Sequence, residues 1–401
     1  MTSRIIVNNI QSDTGVSTVT FNSNISASTA TITDINTTRI SGVSTAGITT
    51  AYIGAINDGP ISGARNRIIN GDMRIDQRNA GTSVTVADAT ATFGVDRFRF
   101  TESTSASSCT VQQVSDAPTG FTNSLKITVG TGGSASAAQV AQLTHPIEGY
   151  NWADLLYGSS SAKFFTIQFW VKSSLTGTYC FSIFNSAGNR SYVAEYTIIA
   201  ANTWEYKTIT VAGDTTGTWL TTNGVGAFIN WDFGGGSNFN VTANTWGTTS
   251  YASRTTNQVN WISNSGATFY LTGVQLESGT VATPFERRSY GQELALCERY
   301  YQIKEYNGGT LNMYPGSTNG YFTIPLSPLM RTAPSVITYD TAYQASGFIY
   351  YNGGSTAVTY GNNQPPTIGA VSSVASRTSG NFSAGEVCGH TYVRIRASAE
   401  L

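Results

Sequence analysis

The segment KFFTIQFWVK, residues 163–172, alternates apolar and polar side chains along its length. The apolar set on one side is Phe165, Ile167, Phe169 and Val171. The segment VGAFINWDF, residues 225–233, shows the same alternation. A period of two is typical of a β-strand that turns one face to a core and the other face away from it. The two segments therefore predict strands of a β-sheet with one apolar face.

Further strands of this kind surround the two segments. Residues 204–211, WEYKTITV, and residues 267–276, ATFYLTGVQL, repeat the pattern, and turns rich in Gly and Asn separate the strands. Short strands at intervals of about ten residues are typical of a sandwich or jelly roll. We therefore predict an all-β fold with a central jelly-roll β-sandwich. We assign three tryptophans of the alternating strands to its core: Trp170, Trp204 and Trp231.

Composition divides the 401-residue chain into four predicted regions. In residues 1–62, Ile and Val recur among Ser and Thr in strand-sized pieces too short to bury an apolar face within one chain. This region predicts a fibrous β stem that anchors and trimerises the protein; the alternative is a disordered linker. Residues 63–285 predict the jelly roll, residues 286–302 a linking amphipathic helix, and residues 303–401 a small C-terminal β domain.

Two segments interrupt the β pattern with helical signals. Within residues 286–302, one helical face would carry Tyr290, Leu294, Cys297 and Tyr301. Ser289 followed by Gln292 is a capping-box start for this helix. Residues 147–158, IEGYNWADLLYG, predict a second, short helix that ends at Gly158.

Charge and cysteine content narrow the classes of partner. The chain has 22 basic and 23 acidic residues, a net charge of −1, which argues against nucleic-acid binding. No apolar run is long enough for membrane insertion, and the first ten residues lack the apolar core of a secretory signal. The widely spaced cysteines are expected to be reduced and partly buried. They are Cys109, Cys180, Cys297 and Cys388.

Signatures of catalysis are absent from the sequence. His145 and His390 lie in no metal-binding motif, and no nucleophile elbow, P-loop or dinucleotide fingerprint occurs. His145 precedes a proline in a predicted turn, so we place it at the surface or the core edge. Asp72 and Asp76 could serve as general acid and base or as calcium ligands, but turn or surface positions are favoured. We expect no enzymatic activity, no catalytic residues and no cofactor.

The seven tryptophans are the strongest indication of a binding site. Flat rings beside polar side chains suit carbohydrates, because sugar C–H faces stack on rings while hydroxyl groups need polar partners. Residues 237–258 form a long polar stretch with few strand signals, and long loops often carry function. The glycan-contact candidates in this stretch are Trp246, Tyr251, Asn238 and Phe239. For Trp246 the alternative is a buried anchor.

Several stretches resemble a family. RNRIINGDMRIDQRNAGTSVTV, residues 65–86, followed by FGVDRFRF, residues 93–100, resembles the start of a carbohydrate-binding-module-like jelly roll of bacteriophage tail-fibre and appendage proteins. Residues 269–302, which include TGVQLESG and RSYGQELALCERYY, resemble its closing strand and trailing helix. Residues 147–173 resemble its middle. The resemblance covers residues 65–302, and RASAEL at the end of the chain is similar to a phage-fibre terminus. The opening residues resemble those of virion proteins from cyanobacterial phages.

The resemblance implies a homotrimeric virion protein, assembled in the bacterial cytoplasm, that attaches to the host surface. A tail fibre or adhesin that recognises a host glycan is the first expectation, with other virion proteins contacting residues 1–62. The alternatives are a head fibre or capsid decoration protein and, less favoured, a polysaccharide depolymerase. Related jelly rolls hold a structural calcium near their first and last strands, which here would implicate Asp72 and Gln275.

Overall fold

Two stacked β-sheets form the central part of the protein in this computed structural model. The predicted stem, residues 1–62, lies outside the described residues. The structure describes residues 65–104, 107–307, 312–313, 319–339, 348–351, 354–362, 365–377, 388–389 and 392–401. Within them, nearly all regular structure is β, and the single α-helix is nine residues long. The predicted all-β class is confirmed.

Twelve strands build the sandwich, and all of their pairings are antiparallel. The strands are β1 (Val84–Thr85), β2 (Thr92–Val95), β3 (Phe98–Glu102), β4 (Cys109–Val114), β5 (Ser124–Val129), β6 (Ala141–Glu148), β7 (Phe165–Ser173), β8 (Gly177–Asn185), β9 (Ser191–Ile198), β10 (Glu205–Val211), β11 (Val225–Asp232) and β12 (Thr268–Ser278). The front sheet has the order β1-β4-β5-β12-β7-β10. The back sheet has the order β2-β3-β6-β11-β8-β9.

The core lies between the two sheets and follows the predicted alternation. On β7 the four residues assigned to the inner face are fully buried, and on β11 the same holds for Trp231 and its inward neighbours. The rings of Phe169 and Trp231 meet edge to face across the core, with centroids 5.6 Å apart. Burial of each such ring contributes about 1.5–3 kcal/mol, so these rows of side chains hold the sheets together.

The burial of the tryptophans differs from the prediction. Trp231 is in the core as expected, but Trp170 and Trp204 are only half-buried. Trp170 lies between inward-facing neighbours on β7, so the pleat turns its ring to the outer face of the front sheet. Assigning Trp170 and Trp204 to the core was wrong, because only one face of the sheet is covered by the other sheet. The tryptophans that fill the core besides Trp231 are Trp152, Trp219 and Trp261.

The helix α1 spans Tyr290–Glu298 and begins with the predicted capping box. The Ser289 hydroxyl accepts a hydrogen bond from the Gln292 backbone N–H at 3.3 Å, and the Gln292 side-chain oxygen accepts from the Ser289 N–H at 3.1 Å. The helix is shorter than the expected residues 286–302. Tyr301 already belongs to the strand that follows, so it cannot share a helical face with Leu294.

The buried face of α1 is narrower than predicted. Cys297 is fully buried beside Ile69, Ile75 and Tyr300, and Leu294 packs against the same cluster. Tyr290 is exposed. Cys297 is unpaired, as are the buried Cys109 and Cys180.

Residues 147–158 do not form the expected helix. The strand β6 continues to Glu148, and two three-residue 3₁₀ turns follow, Gly149–Asn151 and Ala153–Leu155. The backbone at Gly149 lies so close to neighbouring carbonyl groups that a Cβ atom there would stand 2.5 Å from the carbonyl oxygen of Thr222. This close approach fixes an irregular turn where the sequence favours a helix.

His145 is buried within β6, so the predicted turn was wrong and, of the two predicted positions, the surface one is excluded. Its Nε2 lies 3.3 Å from the Ile69 N atom and 3.1 Å from the Ile69 carbonyl oxygen. The side of Pro146 that would carry the backbone N–H lies beyond the last residue of β6 that pairs with β3, so the ladder requires no donor there. On that side the Pro146 carbonyl oxygen accepts a hydrogen bond from the Arg97 guanidinium at 2.7 Å. Burial, aided by the charge of Arg97, holds the pKa of His145 well below its usual value.

The rest of the described chain forms two further antiparallel sheets. One has the order β13-β21-β16 and the other the order β14-β15-β19-β18-β17-β20. Their strands are β13 (Tyr301–Asn307), β14 (Asn312–Met313), β15 (Asn319–Pro325), β16 (Val336–Tyr339), β17 (Phe348–Tyr351), β18 (Gly354–Asn362), β19 (Ala370–Arg377), β20 (Cys388–Gly389) and β21 (Tyr392–Ser398). The predicted domain boundaries remain predictions.

Residues 399–401 fasten the three-stranded sheet to the sandwich. The Glu400 carboxylate forms ion pairs with Arg97 and with Arg78, the latter at 2.8 Å. Burial acts to raise the pKa of Glu400, but the charges of Arg97 and Arg78 outweigh it, and the pKa lies below its usual value. Arg331 adds hydrogen bonds to the carbonyl oxygens of Ala399 (2.7 Å) and Glu400 (3.1 Å).

Candidate functional site

The outer face of the front sheet carries a groove with aromatic walls and a volume of about 500 Å³. We call it the aromatic groove. It is lined by Phe121, Gln168, Trp170, Tyr206, Gly273, Ala282, Thr283, Pro284, Phe285 and Arg287. Ligand sites in proteins commonly have volumes of about 300–1,000 Å³ and a lining of rings with a few polar groups, and the groove falls in this class.

Two neighbouring strands place the central rings of the groove. Trp170 on β7 and Tyr206 on β10 stand directly opposite each other in the strand register. Their ring centroids are 5.4 Å apart, with an angle of 50° between the planes. The Tyr206 hydroxyl donates a hydrogen bond to the side-chain oxygen of Gln168 at 2.5 Å. Burial, and then the charge of Glu277, raise the pKa of Tyr206, so the hydroxyl keeps its proton.

A β-bulge in β12 shapes the floor of the groove. The register with β7 shifts between Thr272 and Gln275, and Gly273 at the bulge has φ of +63°. A Cβ atom there would lie 2.8 Å from the Phe121 ring and 3.0 Å from the Trp170 ring. Glycine is therefore required twice, for its backbone conformation and for the close approach of two rings.

The far wall consists of two loops that meet at Phe121 and Phe285. The rings lie edge to face with centroids 5.1 Å apart, and the Arg287 guanidinium lies 4.9 Å and 5.6 Å from their centroids. Two side chains of β12 fasten the Phe285 loop. The Glu277 carboxylate accepts hydrogen bonds from the Thr283 N–H and hydroxyl, both 2.7 Å, and the Gln275 side-chain oxygen accepts from the Glu286 N–H at 2.7 Å.

A second pair of rings lies outside the groove on the same face. Trp204 and Tyr270 meet edge to face at 6.1 Å, and the Lys172 ammonium is 4.2 Å from the centre of the Tyr270 ring. Asp116 accepts hydrogen bonds from the Trp204 indole N–H at 3.2 Å and from Lys172, and the bond from Lys172 lowers its pKa. The ring-bearing surface is therefore wider than the groove itself.

The four residues predicted to contact a glycan lie elsewhere, in the loop between β11 and β12. Trp246 is half-buried, and its indole N–H donates to the Ala212 carbonyl oxygen at 2.8 Å. The centroid of its ring lies 5.2 Å from that of Tyr192, 5.7 Å from that of Trp219 and 5.8 Å from that of Tyr157. These contacts are those of an anchor for the loop.

The other three candidates lie in the same loop. Tyr251 is 44% exposed, and its ring meets Phe184 edge to face at 5.3 Å. Asn238 is exposed and Phe239 half-buried, in the short 3₁₀ turn Ser237–Phe239. None of these residues lines the aromatic groove. Their role as glycan contacts remains a prediction.

A buried carboxylate explains why this loop folds over the back sheet. Asp232, at the end of β11, accepts hydrogen bonds from the Gly234 N–H (2.8 Å), the Gly235 N–H (3.0 Å), the Gln258 amide (2.7 Å) and the Ser253 hydroxyl (2.6 Å). The loop thereby covers outward-facing side chains of the back sheet, such as Cys180 and Val193. The outer face of the front sheet has no such cover in the groove.

The calcium candidates Asp72 and Gln275 have other partners. Asp72 forms an ion pair with Arg74, and Gln275 bonds Glu277 and the Glu286 backbone. Asp76 accepts from the backbone N–H groups of Asn79 and Gly81 and so stabilises a turn. Among the described residues, no group of three or more His, Cys, Asp or Glu side chains is arranged to hold a metal ion. No helix in the described part of the chain is long and apolar enough to span a membrane.

The sequence contained a signal for one half of the groove only. Alternation along β7 and β10 assigns Gln168, Trp170 and Tyr206 to the side away from the core. Phe121 and Phe285 lie in loops far apart in the chain, where no periodicity indicates which way a ring points. The folded chain brings Phe121 and Trp170 together at the Gly273 bulge, and Phe285 lines the same groove.

No protein-family model and no curated protein matches the chain. Among solved structures, it is similar to the enzymatically active domain of tailspike protein 4 from bacteriophage CBA120, with 18% identity over 53% of this chain and a TM-score of 0.28. The match spans 21% of that tailspike chain.

Two further solved structures are similar to about the same share of this chain. A putative sugar-binding protein from Bacteroides thetaiotaomicron matches 53% of this chain and 99% of its own, with 11% identity and a TM-score of 0.30. A family 11 carbohydrate-binding module from Clostridium thermocellum, in complex with a mixed-linked tetrasaccharide, matches 50% and 98%, with 12% identity and a TM-score of 0.26. Because these sequence identities and TM-scores are low, we infer function from the residues of this chain alone.

Proposed function

We propose that the protein binds a saccharide in the aromatic groove. The observation that carries this proposal is the partly exposed pair of Trp170 and Tyr206, with Gln168 hydrogen-bonded beside it. Sugar C–H faces stack on such rings, and the Gln168 amide and the Tyr206 hydroxyl offer partners to sugar hydroxyl groups. A tryptophan ring held half in water keeps part of its flat face available to a ligand.

We propose further that this binding serves attachment rather than cleavage. Glycoside hydrolysis generally needs two carboxyl groups on either side of the scissile bond, and the residues lining the aromatic groove include no Asp or Glu. Glu277, whose charge raises the pKa of Tyr206, accepts hydrogen bonds from the N–H and hydroxyl groups of Thr283. Incubation with polysaccharide should therefore release no oligosaccharides; release that Asp72→Asn abolishes would favour the depolymerase alternative.

The resemblance of residues 65–302 to phage appendage proteins supports a finer proposal. The chain is then a homotrimeric tail fibre or adhesin of a bacteriophage virion, with residues 1–62 as the anchor. The alternative is a head fibre or capsid decoration protein. Sedimentation should give a trimer, and virions should not incorporate a fragment of residues 65–401. A folded monomer would contradict the trimer, and normal incorporation of the fragment would place the anchor elsewhere.

Two tryptophan variants test the binding site. Trp170→Ala removes a ring of the groove, and Trp246→Ala removes a ring of the loop over the back sheet. An array of oligosaccharides from bacterial envelopes is probed with the wild type and both variants. If a stacked ring contributes about 1 kcal/mol, Trp170→Ala weakens binding about fivefold per site, and more in a trimer. Loss of binding in folded Trp246→Ala, with Trp170→Ala unaffected, would move the site to the loop.

A further inference from the structure

A small pocket adjoins the aromatic groove behind its far wall. It has a volume of about 220 Å³ and shares Phe121 and Arg287 with the groove. We call it the arginine pocket. It is lined by Asp72, Arg74, Phe121, Thr122, Arg287 and Arg288. A saccharide that stacks in the groove therefore lies next to a pocket walled by three guanidinium groups and one carboxylate.

The three guanidinium groups of this pocket differ in their ion-pair partners. Arg74 is paired with Asp72, and Arg288 is paired with Glu293 at 3.3 Å and with Glu286 at 3.8 Å. Arg287 has no carboxylate within ion-pair distance among the described residues, and its side chain is exposed. Arg287 is therefore the one guanidinium of this pocket without an ion-pair partner among the described residues, and it also borders the groove.

The guanidinium of Arg287 is held in place but keeps free donors. It lies 4.9 Å and 5.6 Å from the centroids of the Phe121 and Phe285 rings, and one N–H group donates to the Gly120 carbonyl oxygen at 2.5 Å. A guanidinium has five N–H donors, and two of them form a fork that matches a carboxylate or sulfate. This fixed fork is suited to an anion that enters from the groove.

The pocket also offers an acceptor to an uncharged hydrogen-bond donor. The Asp72 Oδ1 atom is buried and accepts no hydrogen bond within the described part of the chain. A buried carboxylate oxygen without a donor is unfavourable, and a sugar hydroxyl is a donor of suitable size. An acidic sugar supplies both groups, an anion for Arg287 and hydroxyl groups for Asp72.

We infer that the glycan bound in the aromatic groove is acidic, with a carboxylate or sulfate group that contacts Arg287 at the mouth of the arginine pocket. This inference rests on the proposed function and names its substrate class. The anion would accept a charge-assisted, two-pronged hydrogen bond, so loss of the charge should weaken binding about tenfold or more.

An array of matched oligosaccharides tests the inference. It carries oligogalacturonates, their neutral methyl esters, and sialylated, sulfated and unmodified neutral oligosaccharides, and it is probed with the full chain. We expect the bound set to be acidic, and the carboxylate and sulfate arms show which anion is preferred. The methyl esters should bind about tenfold more weakly than the free acids, and added salt should reduce the difference.

Three variants separate the inference from the proposed function. Arg287→Gln should lose the preference for acidic glycans, whereas Arg287→Lys should retain part of it and so shows that the wall still folds. Lys163→Gln, which removes a cation outside the groove and the pocket, should bind as the wild type.

Equal effects of Lys163→Gln and Arg287→Gln would mean a nonspecific charge effect and overturn the inference. Binding of neutral glycans alone, weakened by Trp170→Ala, would overturn the inference and leave the proposed function intact. Binding of no glycan would overturn both.

Discussion

Trp170 and Tyr206 stand opposite each other on neighbouring strands of the front sheet, with ring centroids 5.4 Å apart, and both rings face outward. Aromatic pairs across a sheet stabilise it, but a pair that stays half in water also offers a flat surface to a ligand. The same strand register buries the neighbouring Phe169 in the core. Binding surface and core are thus two faces of one strand.

The loss of stability on replacing each tryptophan should depend on the contacts that its side chain makes. Trp246→Ala breaks a hydrogen bond to Ala212 and leaves three neighbouring rings unsupported, so it should lower the free energy of unfolding by about 2–4 kcal/mol. Trp170→Ala, on the open face, should cost about 1 kcal/mol. Urea unfolding measures both changes. Equal losses would mean that Trp170 supports the fold as much as Trp246 does.

The sequence predicted the sheets better than the site because periodicity reports only which side chains share a face. Alternation in residues 163–172 correctly separates Phe169 from Trp170, yet it does not say which face a second element covers. The back sheet is covered by a loop that Asp232 organises, and that network has no periodic signal. Trp246 was therefore expected at a binding surface and Trp170 in the core, whereas both are half-buried and only Trp170 lines the aromatic groove.

The loop over the back sheet should depend on Asp232. Asp232→Ala leaves four donors without their acceptor, so protection of residues 234–258 against hydrogen exchange should fall by about 1–3 kcal/mol. The front sheet should keep its protection. Asp154→Asn, at a largely exposed carboxylate, serves as the control. Unchanged exchange in the loop would show that packing alone holds it.

Glu400 should be the strongest single ionic link between the three-stranded sheet and the sandwich. Glu400→Gln leaves the buried Arg97 guanidinium without its carboxylate, and breaking one side of a buried pair costs about 3–5 kcal/mol. The pair of Arg67 with the largely exposed Asp154 carboxylate should contribute about 1 kcal/mol. Chemical unfolding of Glu400→Gln and Asp154→Asn compares the two; similar small losses would contradict a buried link.

Acid should destabilise the sandwich through His145. Its pKa in the folded protein lies well below the usual value near 6.5, so the unfolded chain takes up a proton first and stability falls as the pH drops below about 6.5. Asp96 acts in the opposite direction, because burial raises its pKa to about 6, and its contribution is lost as the pH rises through that value.

Comparison with a His145→Gln variant isolates the histidine. The difference in unfolding free energy between wild type and variant should change by up to about 1.4 kcal/mol per pH unit between pH 6.5 and 5. Urea unfolding at several pH values gives this difference. A constant difference would mean that the protonation of His145 is the same in the folded and unfolded states over this pH range.

Nuclear magnetic resonance of the tryptophan indole N–H groups tests the central claim most directly. The chain is labelled with ¹⁵N at tryptophan, the signals are assigned with Trp170→Phe and Trp246→Phe, and an oligosaccharide selected on the array is added. We predict that the Trp170 signal shifts in proportion to the bound fraction while the Trp246 signal stays in place. A shift of Trp246 with an unchanged Trp170 would contradict binding in the aromatic groove and return the site to the loop over the back sheet.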